Sequence, residues 1–367
     1  MKIGILTSSR ADYGIYQPLL KKMSNDSYFQ VEIIAFGTHL SKLHDYTLKI
    51  IEKDNFGKVY ALETLIDDDT QLGTAKSYAK TISVFADFWN ENNYDLVLCL
   101  GDRFEMNAAV QSGIPFGVKF AHLYGGETTL GAFDNIFRHQ ISLASQLHFT
   151  ATEQFSKRVS EITQDFSNVF VIGSLSLDEL FSFQPKPKTI FLEQFGISKG
   201  DYVLVTFHPE TMSFDKNTIY AKEMRLALSK ISEHMNVVVT MPNADTRGSV
   251  IRQELMLLHS EHLDRVVLVE NFGKDNYFTA MYHSKMLIGN TSSGIIEAAS
   301  FNKYVINVGN RQKGRLQSKN IVNCDFIASD IYNVAMKLYT SKPYEGENIY
   351  FRKGAADKVI KILKEFG

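Results

Sequence analysis

The sequence predicts an α/β protein built from two successive, doubly wound halves. Short apolar runs alternate with amphipathic helical stretches along the 367 residues, a pattern that is typical of parallel sheets covered on both faces. The alternation stops at Phe183–Lys188, where two prolines and two lysines favour an extended linker, and it resumes at Tyr202. We therefore expect one domain at residues 1–183 and a second at residues 189–345.

The expected strands are short, continuous apolar runs. In the first half they are Ile3–Thr7, Val31–Phe36, Leu96–Leu100, Gly117–Leu123, Leu147–Ala151 and Val169–Ile172. In the second half they are Tyr202–Phe207, Val237–Met241, Val266–Val269, Met286–Ile288 and, as the last strand of the chain, Tyr304–Val308. Helices are expected at Ile15–Met23, Tyr220–His234, Val250–His259 and Ala355–Phe366.

Composition restricts the class of partner. The formal net charge of -2 argues against a general nucleic-acid or membrane-surface binder, because such proteins carry a basic excess. Cys99 and Cys324 form no CxxC pair, so no zinc or redox motif is visible, and two lone cysteines suit a reducing compartment. The first apolar stretch is too short for a signal peptide. We expect a cytoplasmic protein.

In doubly wound sheets, ligands bind outside the carboxyl ends of the strands, so the loops after strands are the candidate site. Arg10 follows the first strand and could contact an anion or lie at a surface turn. Asp102 follows Leu96–Leu100 and could act on a substrate hydroxyl or cap the next helix. Glu127 follows Gly125–Gly126, a pair that permits close ligand approach or simply a turn, and it is a candidate general base.

Two further positions extend this set. Asp134 and Arg138 are four residues apart, so on a helix they share one face, either as an ordinary ion pair or as part of a site that includes Glu127. His208 ends the first strand of the second half and precedes Pro209, which places it in a rigid turn. It could transfer protons or be a structural histidine.

The loop Gly289–Gly294 is the best phosphate-binding candidate in the chain. Small hydroxyl residues and glycine at the start of a helix favour anions, although Ser292 or Ser293 could simply cap that helix. Glu297 follows on the same helix and could bind ribose hydroxyls or be solvated. Arg311 belongs to a cationic cluster after the final strand, which could pair with a diphosphate or form a solvated face.

Eight motifs occur in order along the chain: SSRADYG, GDRFE, GGE, DNIFRH, HPET, PNAD, GNTSSGIIE and NRQKGR. Together they resemble the hydrolysing UDP-N-acetylglucosamine 2-epimerases, and the resemblance extends from residue 3 to about residue 325. Non-hydrolysing members carry a Thr-Arg-Pro-Glu type first loop, whereas this chain has Ser9–Gly14. The first loop therefore favours the hydrolysing branch.

The resemblance implies a GT-B fold, with two Rossmann-like domains, the active site in the interdomain cleft, and a C-terminal helix at 355–367 that joins the first domain. It implies that UDP-N-acetylglucosamine and water give N-acetylmannosamine and UDP, by elimination to a glycal and then hydration, for sialic-acid-type sugars. No cofactor is implied, neither NAD nor a metal. A homo-oligomer, dimer or tetramer, is implied as well.

The resemblance also implies roles for individual residues. Asp102, Glu127 and Asp134 match catalytic carboxylates, with Glu127 the first choice of base, and Arg138 would hold a carboxylate or the sugar. The remaining positions match contacts to the UDP: Arg10 and His208 to the diphosphate, Ser292 and Ser293 to the phosphates, Glu297 to the ribose, and Asn243, Phe272 and Arg311 on the nucleotide side.

Alternatives remain at this stage. Tyr124 stands where histidine or glutamate is common, and the variable stretch Thr128–Phe133 lies where we expect the sugar. The substrate could therefore be UDP-2,4-diacetamido-2,4,6-trideoxyglucose of a legionaminic-type pathway. A GT-B glycosyltransferase shares the implied fold, although the Glu127, Asp134 and Arg138 cluster favours elimination. A non-enzymatic nucleotide-sugar sensor would need no such cluster.

Overall fold

The structure, a computed structural model, describes residues 1–41, 46–68, 70–128, 134–210, 216–241 and 249–367. The chain divides into two compact units. Among the described residues, the first contains 1–127, 134–179 and 350–367, and the second contains Thr128 and Leu180–Ile349. Within the described ranges, no helix combines the length and the apolar character that a bilayer crossing requires.

The first unit is organised around seven strands: β1 (Lys2–Thr7), β2 (Gln30–Ala35), β3 (Lys58–Ala61), β4 (Leu96–Leu100), β5 (Phe120–Leu123), β6 (Leu147–Thr150) and β7 (Val169–Val171). They form one parallel sheet in the order β3-β2-β1-β4-β5-β6-β7. The strand order reverses between β1 and β4, where Ile3 is in register with Leu96. In such sheets the ligand crevice lies at this reversal, outside the carboxyl ends of the strands.

Helices pack against this sheet: α1 (Arg10–Met23), α2 (Leu48–Asp54), α3 (Gln71–Glu91), α4 (Phe104–Gly113), α5 (Asp134–Ala144), α6 (Glu153–Thr163) and the C-terminal α13 (Ala355–Phe366). The Ser9 side chain caps α1 by accepting from the Asp12 amide. Helix α13 contacts α1, where Lys22 Nζ lies 2.6 Å from Asp357 Oδ1. Every residue of β4 is buried, as expected for a strand covered on both faces.

The second unit has six strands: β8 (Tyr202–Thr206), β9 (Asn236–Thr240), β10 (Val266–Val269), β11 (Met286–Gly289), β12 (Val305–Val308) and β13 (Ile321–Cys324). They form a parallel sheet in the order β10-β9-β8-β11-β12-β13, which reverses between β8 and β11. Its helices are α7 (Lys188–Gln194), α8 (Asn217–Ser232), α9 (Ser249–Glu261), α10 (Lys274–His283), α11 (Ser292–Ile296) and α12 (Ala328–Tyr339).

Two parallel α/β sheets confirm the predicted fold class, but the strand prediction was incomplete. Tyr304–Val308 is not the last strand, because β13 follows and pairs with β12. Strand β3 was missed as well. Both are edge strands in which no residue is fully buried, so neither carries the continuous apolar run by which the other strands were recognised.

Candidate active site

The loop after β4 is fixed by a buried histidine of β5. His122 Nε2 lies 2.8 Å from the Gly101 carbonyl, and its Nδ1 lies 2.9 Å from Ser142 Oγ. Burial lowers the pKa of His122 to about 3, so the imidazole is neutral at physiological pH. Because a carbonyl can only accept, Nε2 carries the proton and Nδ1 accepts from Ser142. This contact holds the backbone immediately before Asp102.

Two of the predicted carboxylates, Asp102 and Glu127, meet at Arg138. This α5 side chain is only 2% exposed. One terminal nitrogen donates to Asp102, and the other donates to the Tyr124 carbonyl at 2.9 Å and lies 3.7 Å from Glu127 Oε2. Its Nε has no hydrogen-bond partner among the described residues. A buried cation thus brings together carboxylates that follow two neighbouring strands, β4 and β5.

Asp134 opens α5, one turn before Arg138. The ion pairs of Arg138 are with Asp102 and Glu127 rather than with its helical neighbour. Burial, together with the nearby charge of Asp102, raises the pKa of Asp134 to about 6, against the opposing effect of Arg103 and Arg138. Asp134 can therefore exchange a proton close to neutral pH.

Close packing requires glycine at Gly126, the residue before Glu127. Gly126 has φ of +78°, and a Cβ built on it would lie 2.4 Å from the Phe155 carbonyl oxygen. Its own carbonyl accepts from Arg158 Nη1 at 2.9 Å. Only glycine fits this position, and the fit sets the backbone from which Glu127 extends.

Sequence reasoning missed the surroundings of Arg103. This side chain forms a bidentate pair with the buried Glu105, at 2.8 and 3.2 Å. Its charge also acts on Asp12, a buried carboxylate that accepts from Ser8 Oγ at 2.7 Å. Burial raises the pKa of Asp12. The motif GDRFE marks this loop in the sequence, but a local pattern carries no information on the proximity of Arg103 to Asp12.

Arg10 is the first residue of α1, directly after β1, and its side chain is exposed. It follows the N-cap Ser9 and lies at the carboxyl end of β1, the strand next to β4 in the sheet. This is the reversal point of strand order, which agrees with the position expected for a ligand contact.

In the second unit, Asn290 joins the ends of β8 and β11. Its side chain accepts from the His208 amide and donates to the His208 carbonyl, both at 2.8 Å. Its own carbonyl accepts from Arg311 Nη1 at 3.0 Å and from Gln312 Nε2 at 2.9 Å. Burial, and then the charge of Arg311, lowers the pKa of His208 to about 3. His208 is therefore neutral, and any bond it gives to an anion is that of a neutral donor.

The loop Gly289–Gly294 precedes the short helix α11. Gly289 has φ of +150°, and a Cβ on it would lie 1.9 Å from the Thr206 carbonyl oxygen. The helix is capped by Thr291, which accepts from the Gly294 amide at 3.2 Å, so capping by Ser292 or Ser293 was the wrong alternative. Ser292 is exposed, and Ser293 donates to Glu297.

Two predicted nucleotide contacts differ in their outcome. The Phe272 side chain is 4% exposed and packs between Phe191 and Phe195, so it contributes to the core. Its predicted place near the nucleotide stays a prediction. Asn243 lies outside the described residues, as do residues 129–133.

In the described part of the chain, no group of three His, Cys, Asp or Glu side chains is arranged to hold a metal ion.

Two parallel sheets with charged loops at the carboxyl ends of their strands, and acidic residues beside one buried arginine, are typical of α/β enzymes that bind their ligand at the strand ends. Residues 21–364 match the model of the family described as UDP-N-acetylglucosamine 2-epimerase. The chain belongs to this family, which confirms the resemblance predicted from the motifs and the prediction of an epimerase enzyme.

Individual relatives are similar to this chain over most of its length. The polysialic acid biosynthesis protein P7 of Escherichia coli is 30% identical over 100% of this chain and 94% of its own length. The GDP/UDP-N,N'-diacetylbacillosamine 2-epimerase (hydrolyzing) of Campylobacter jejuni is 34% identical over 88% of this chain and 84% of its own. A UDP-N,N'-diacetylbacillosamine 2-epimerase (hydrolyzing) of Legionella pneumophila is 29% identical over 99% and 95%.

Solved structures have the same fold. The UDP-GlcNAc 2-epimerase of Neisseria meningitidis bound to UDP-GlcNAc has a TM-score of 0.81 and 17% identity, covering 100% of both chains. The Methanocaldococcus jannaschii enzyme in complex with UDP-GlcNAc and UDP also has a TM-score of 0.81, at 14% identity and 100% coverage of both. The Rossmann-like, GT-B-like fold predicted from the sequence is confirmed.

Proposed function

We propose that this chain is a hydrolysing 2-epimerase that converts UDP-N-acetylglucosamine and water into N-acetylmannosamine and UDP. One observation carries the proposal: Arg138 binds Asp102, lies 3.7 Å from Glu127, and is one helical turn from Asp134. Elimination at a carbon that is not acidic in the ground state needs a positioned base, and this cluster supplies candidate carboxylates. The names of the Campylobacter and Legionella relatives support hydrolysing chemistry.

Inversion at C2 needs two proton-transfer groups, because one proton leaves one face of the sugar and another arrives on the opposite face. We assign removal to Glu127: it takes the C2 proton while the C1–O bond breaks, and the electron pair leaves on the diphosphate to give a glycal. We assign delivery to Asp134, whose pKa of about 6 lets it carry a proton near neutral pH. Water then adds at C1 and its proton returns to Asp134, while Glu127 releases to solvent the proton that it took from C2.

Negative charge develops on the leaving diphosphate, so fixed donors are needed around it. We assign this role to Arg10, His208 and Arg311, with Ser292 and Ser293 on the phosphates and Glu297 on the ribose. The two hydrogen bonds between the Asn290 side chain and the His208 backbone support a preorganised loop in the second unit. Elimination and hydration transfer no hydride, so the scheme uses no redox cofactor.

A second candidate substrate is a UDP-linked 2,4-diacetamido sugar. The relatives of 34% and 29% identity, from Campylobacter jejuni and Legionella pneumophila, carry that activity in their names. In comparison, a UDP-N-acetylglucosamine 2-epimerase of Neisseria meningitidis is 27% identical. Both substrates share the UDP, C1 and C2, so the same carboxylates serve either reaction.

The test is chromatography that separates the C2 epimers, followed by mass spectrometry, on products formed in heavy-oxygen water from each UDP-sugar separately, without any sugar acceptor. The proposal expects free N-acetylmannosamine that carries one heavy oxygen at C1. Heavy oxygen in the product of the diacetamido sugar alone would select the second candidate. Release of the unepimerised sugar, or no turnover of either compound, would contradict a hydrolysing 2-epimerase.

A further inference from the structure

Tyr124, between β5 and Glu127, adopts a backbone conformation that side chains disfavour. Its φ is +65°, in the left-handed region, and its side chain is 8% exposed. A residue with a Cβ holds this conformation only where its surroundings enforce it. The carbonyl of this strained residue is the acceptor that receives Arg138 Nη1 at 2.9 Å.

The Tyr124 hydroxyl anchors this residue through hydrogen bonds. It accepts from the Leu175 amide at 2.6 Å, so its own proton is available to Ser174 Oγ at 3.3 Å. Leu175 begins the segment Leu175–Phe181, through which the chain leaves the first unit. The loop that carries Glu127 is therefore bonded, through a phenol, to an exit segment of the same unit.

The same anchor reaches the point where the chain returns. The Ser174 amide donates to the Tyr350 carbonyl at 2.8 Å. Tyr350 is the first residue of the returning segment, is 1% exposed, and packs near Phe155. The backbone of Phe155 is in turn the surface that makes glycine necessary at Gly126. The segment by which the chain leaves the first unit and the segment by which it returns are thus both linked by contacts to the short loop that ends at Glu127.

We propose that Tyr124 is a positioning residue, whose hydroxyl anchors the loop so that its carbonyl holds Arg138 between Asp102 and Glu127. This role rests on the proposed function, because it places Tyr124 behind the carboxylates assigned to the reaction. Tyr124 itself contacts neither the sugar nor the diphosphate in this scheme. Loss of the hydroxyl is expected to loosen the aim of Arg138, and with it the catalytic step, without weakening the nucleotide contacts of the second unit.

The variant Tyr124→Phe removes only the hydroxyl. Tyr202→Phe is a matched control, because the Tyr202 hydroxyl is also buried and donates to the Ala280 carbonyl at 2.6 Å, but at the amino end of β8. We expect both variants to lose a similar amount of thermal stability. Tyr124→Phe should lower kcat by about tenfold, as expected when a reacting group is slightly misplaced, and leave KM and the affinity for UDP unchanged. Tyr202→Phe should leave kcat unchanged.

The outcomes separate this role from the proposed function. An active wild-type enzyme with an undiminished kcat in Tyr124→Phe overturns the positioning role alone. The same holds if Tyr124→Phe and Tyr202→Phe lose kcat equally, or if the loss is in KM and UDP affinity. A wild-type chain that turns over neither UDP-sugar overturns the function, and this role with it. A coupled loss in Ser174→Ala, not additive with Tyr124→Phe, supports the anchor.

Discussion

Arg138 and Asp102 form a salt bridge in which the arginine side chain is 2% exposed and the aspartate side chain is 21% exposed. A guanidinium can be buried only where acceptors surround it. Asp102, the Tyr124 carbonyl and Glu127 provide them, and they come from the ends of two adjacent strands. The pair therefore organises the acidic cluster as much as it stabilises the first unit.

Removal of this cation should destabilise the fold. Arg138→Met removes the buried cation that lies between Asp102 and Glu127, and we expect a loss of about 3 kcal/mol in the free energy of unfolding. Urea denaturation measures it. Arg252→Met is the control, because its partner Glu270 is 72% exposed, and its expected loss is below about 1 kcal/mol. Equal losses in the two variants would show that the buried pair has no special weight.

The proposed base gives a second prediction. Glu127→Gln keeps the shape of the side chain and removes its capacity to take the C2 proton, so kcat should fall by roughly 10²- to 10⁴-fold. The affinity for UDP, measured by calorimetry, should not change. Glu161→Gln, on the exposed face of α6 with 59% of its side chain exposed, should be as active as the wild type. A parallel loss of UDP affinity in Glu127→Gln would contradict the assigned role.

The raised pKa of Asp134 predicts a stability that depends on pH. The folded-state value of about 6 lies above the unfolded value of 3.8, so the native state binds more protons between these values. The stability contributed by Asp134 is complete below about pH 4 and declines as pH rises to about 6. Asp134→Asn has no charge to bury. Its free energy of unfolding should therefore exceed that of the wild type at pH 7 by about 2 kcal/mol, a value already reduced for partial exposure. At pH 4 the two should match.

Asp165 provides the control of opposite sign. Hydrogen bonds from Ser167 and Asn168 lower its pKa to about 2, so the stability it contributes is present above pH 4 and is lost as pH falls toward 2. Asp165→Asn should therefore be less stable than the wild type at pH 7. Urea unfolding of both variants at pH 4 and pH 7 distinguishes the cases. A stability difference between Asp134→Asn and the wild type that does not change with pH would contradict the buried-charge explanation.

Much of the fold followed from the sequence because buried strands such as β4 are uninterrupted apolar runs. Strands β3 and β13 were missed since an edge strand faces solvent and needs no such run. The motif positions pointed to Asp102, Glu127 and Arg138, but helical spacing pointed to Asp134 as the partner of Arg138. The observed partner, Asp102, is 36 residues distant in the chain, and one-dimensional spacing carries no information on such a contact.

The same limit applies in the second unit. Asn290 bonds the His208 backbone across 82 residues of sequence, and nothing in the local pattern distinguishes it from its hydroxyl-bearing neighbours. Capping was also undetermined, because Thr291, Ser292 and Ser293 are all acceptable caps. The position of the backbone, set by Gly289 against Thr206, decides in favour of Thr291.

The assigned phosphate contacts predict a loss of binding rather than of chemistry. The double variant Ser292→Ala with Ser293→Ala removes two hydroxyls, of which the Ser293 hydroxyl also orients Glu297. The affinity for UDP should fall by about tenfold, the size expected for one or two hydrogen bonds to a charged ligand. Ser284→Ala is the control, because the Ser284 hydroxyl donates to the Met281 carbonyl at the carboxyl-terminal end of α10. Calorimetry that finds UDP affinity intact in the double variant would remove these serines from the site.

The glycine before Glu127 gives the last prediction. Gly126→Ala and Gly117→Ala both place a Cβ on a left-handed residue, with φ of +78° and +68°, which costs about 1 kcal/mol. At Gly117 the added atom meets nothing within 4 Å, whereas at Gly126 it would lie 2.4 Å from the Phe155 carbonyl oxygen. The loop must move to relieve that contact, and a displacement of about 1 Å can cost 10²-fold in rate. We expect kcat to fall by about that factor in Gly126→Ala and to be unchanged in Gly117→Ala, and equal activities would show that the loop tolerates displacement.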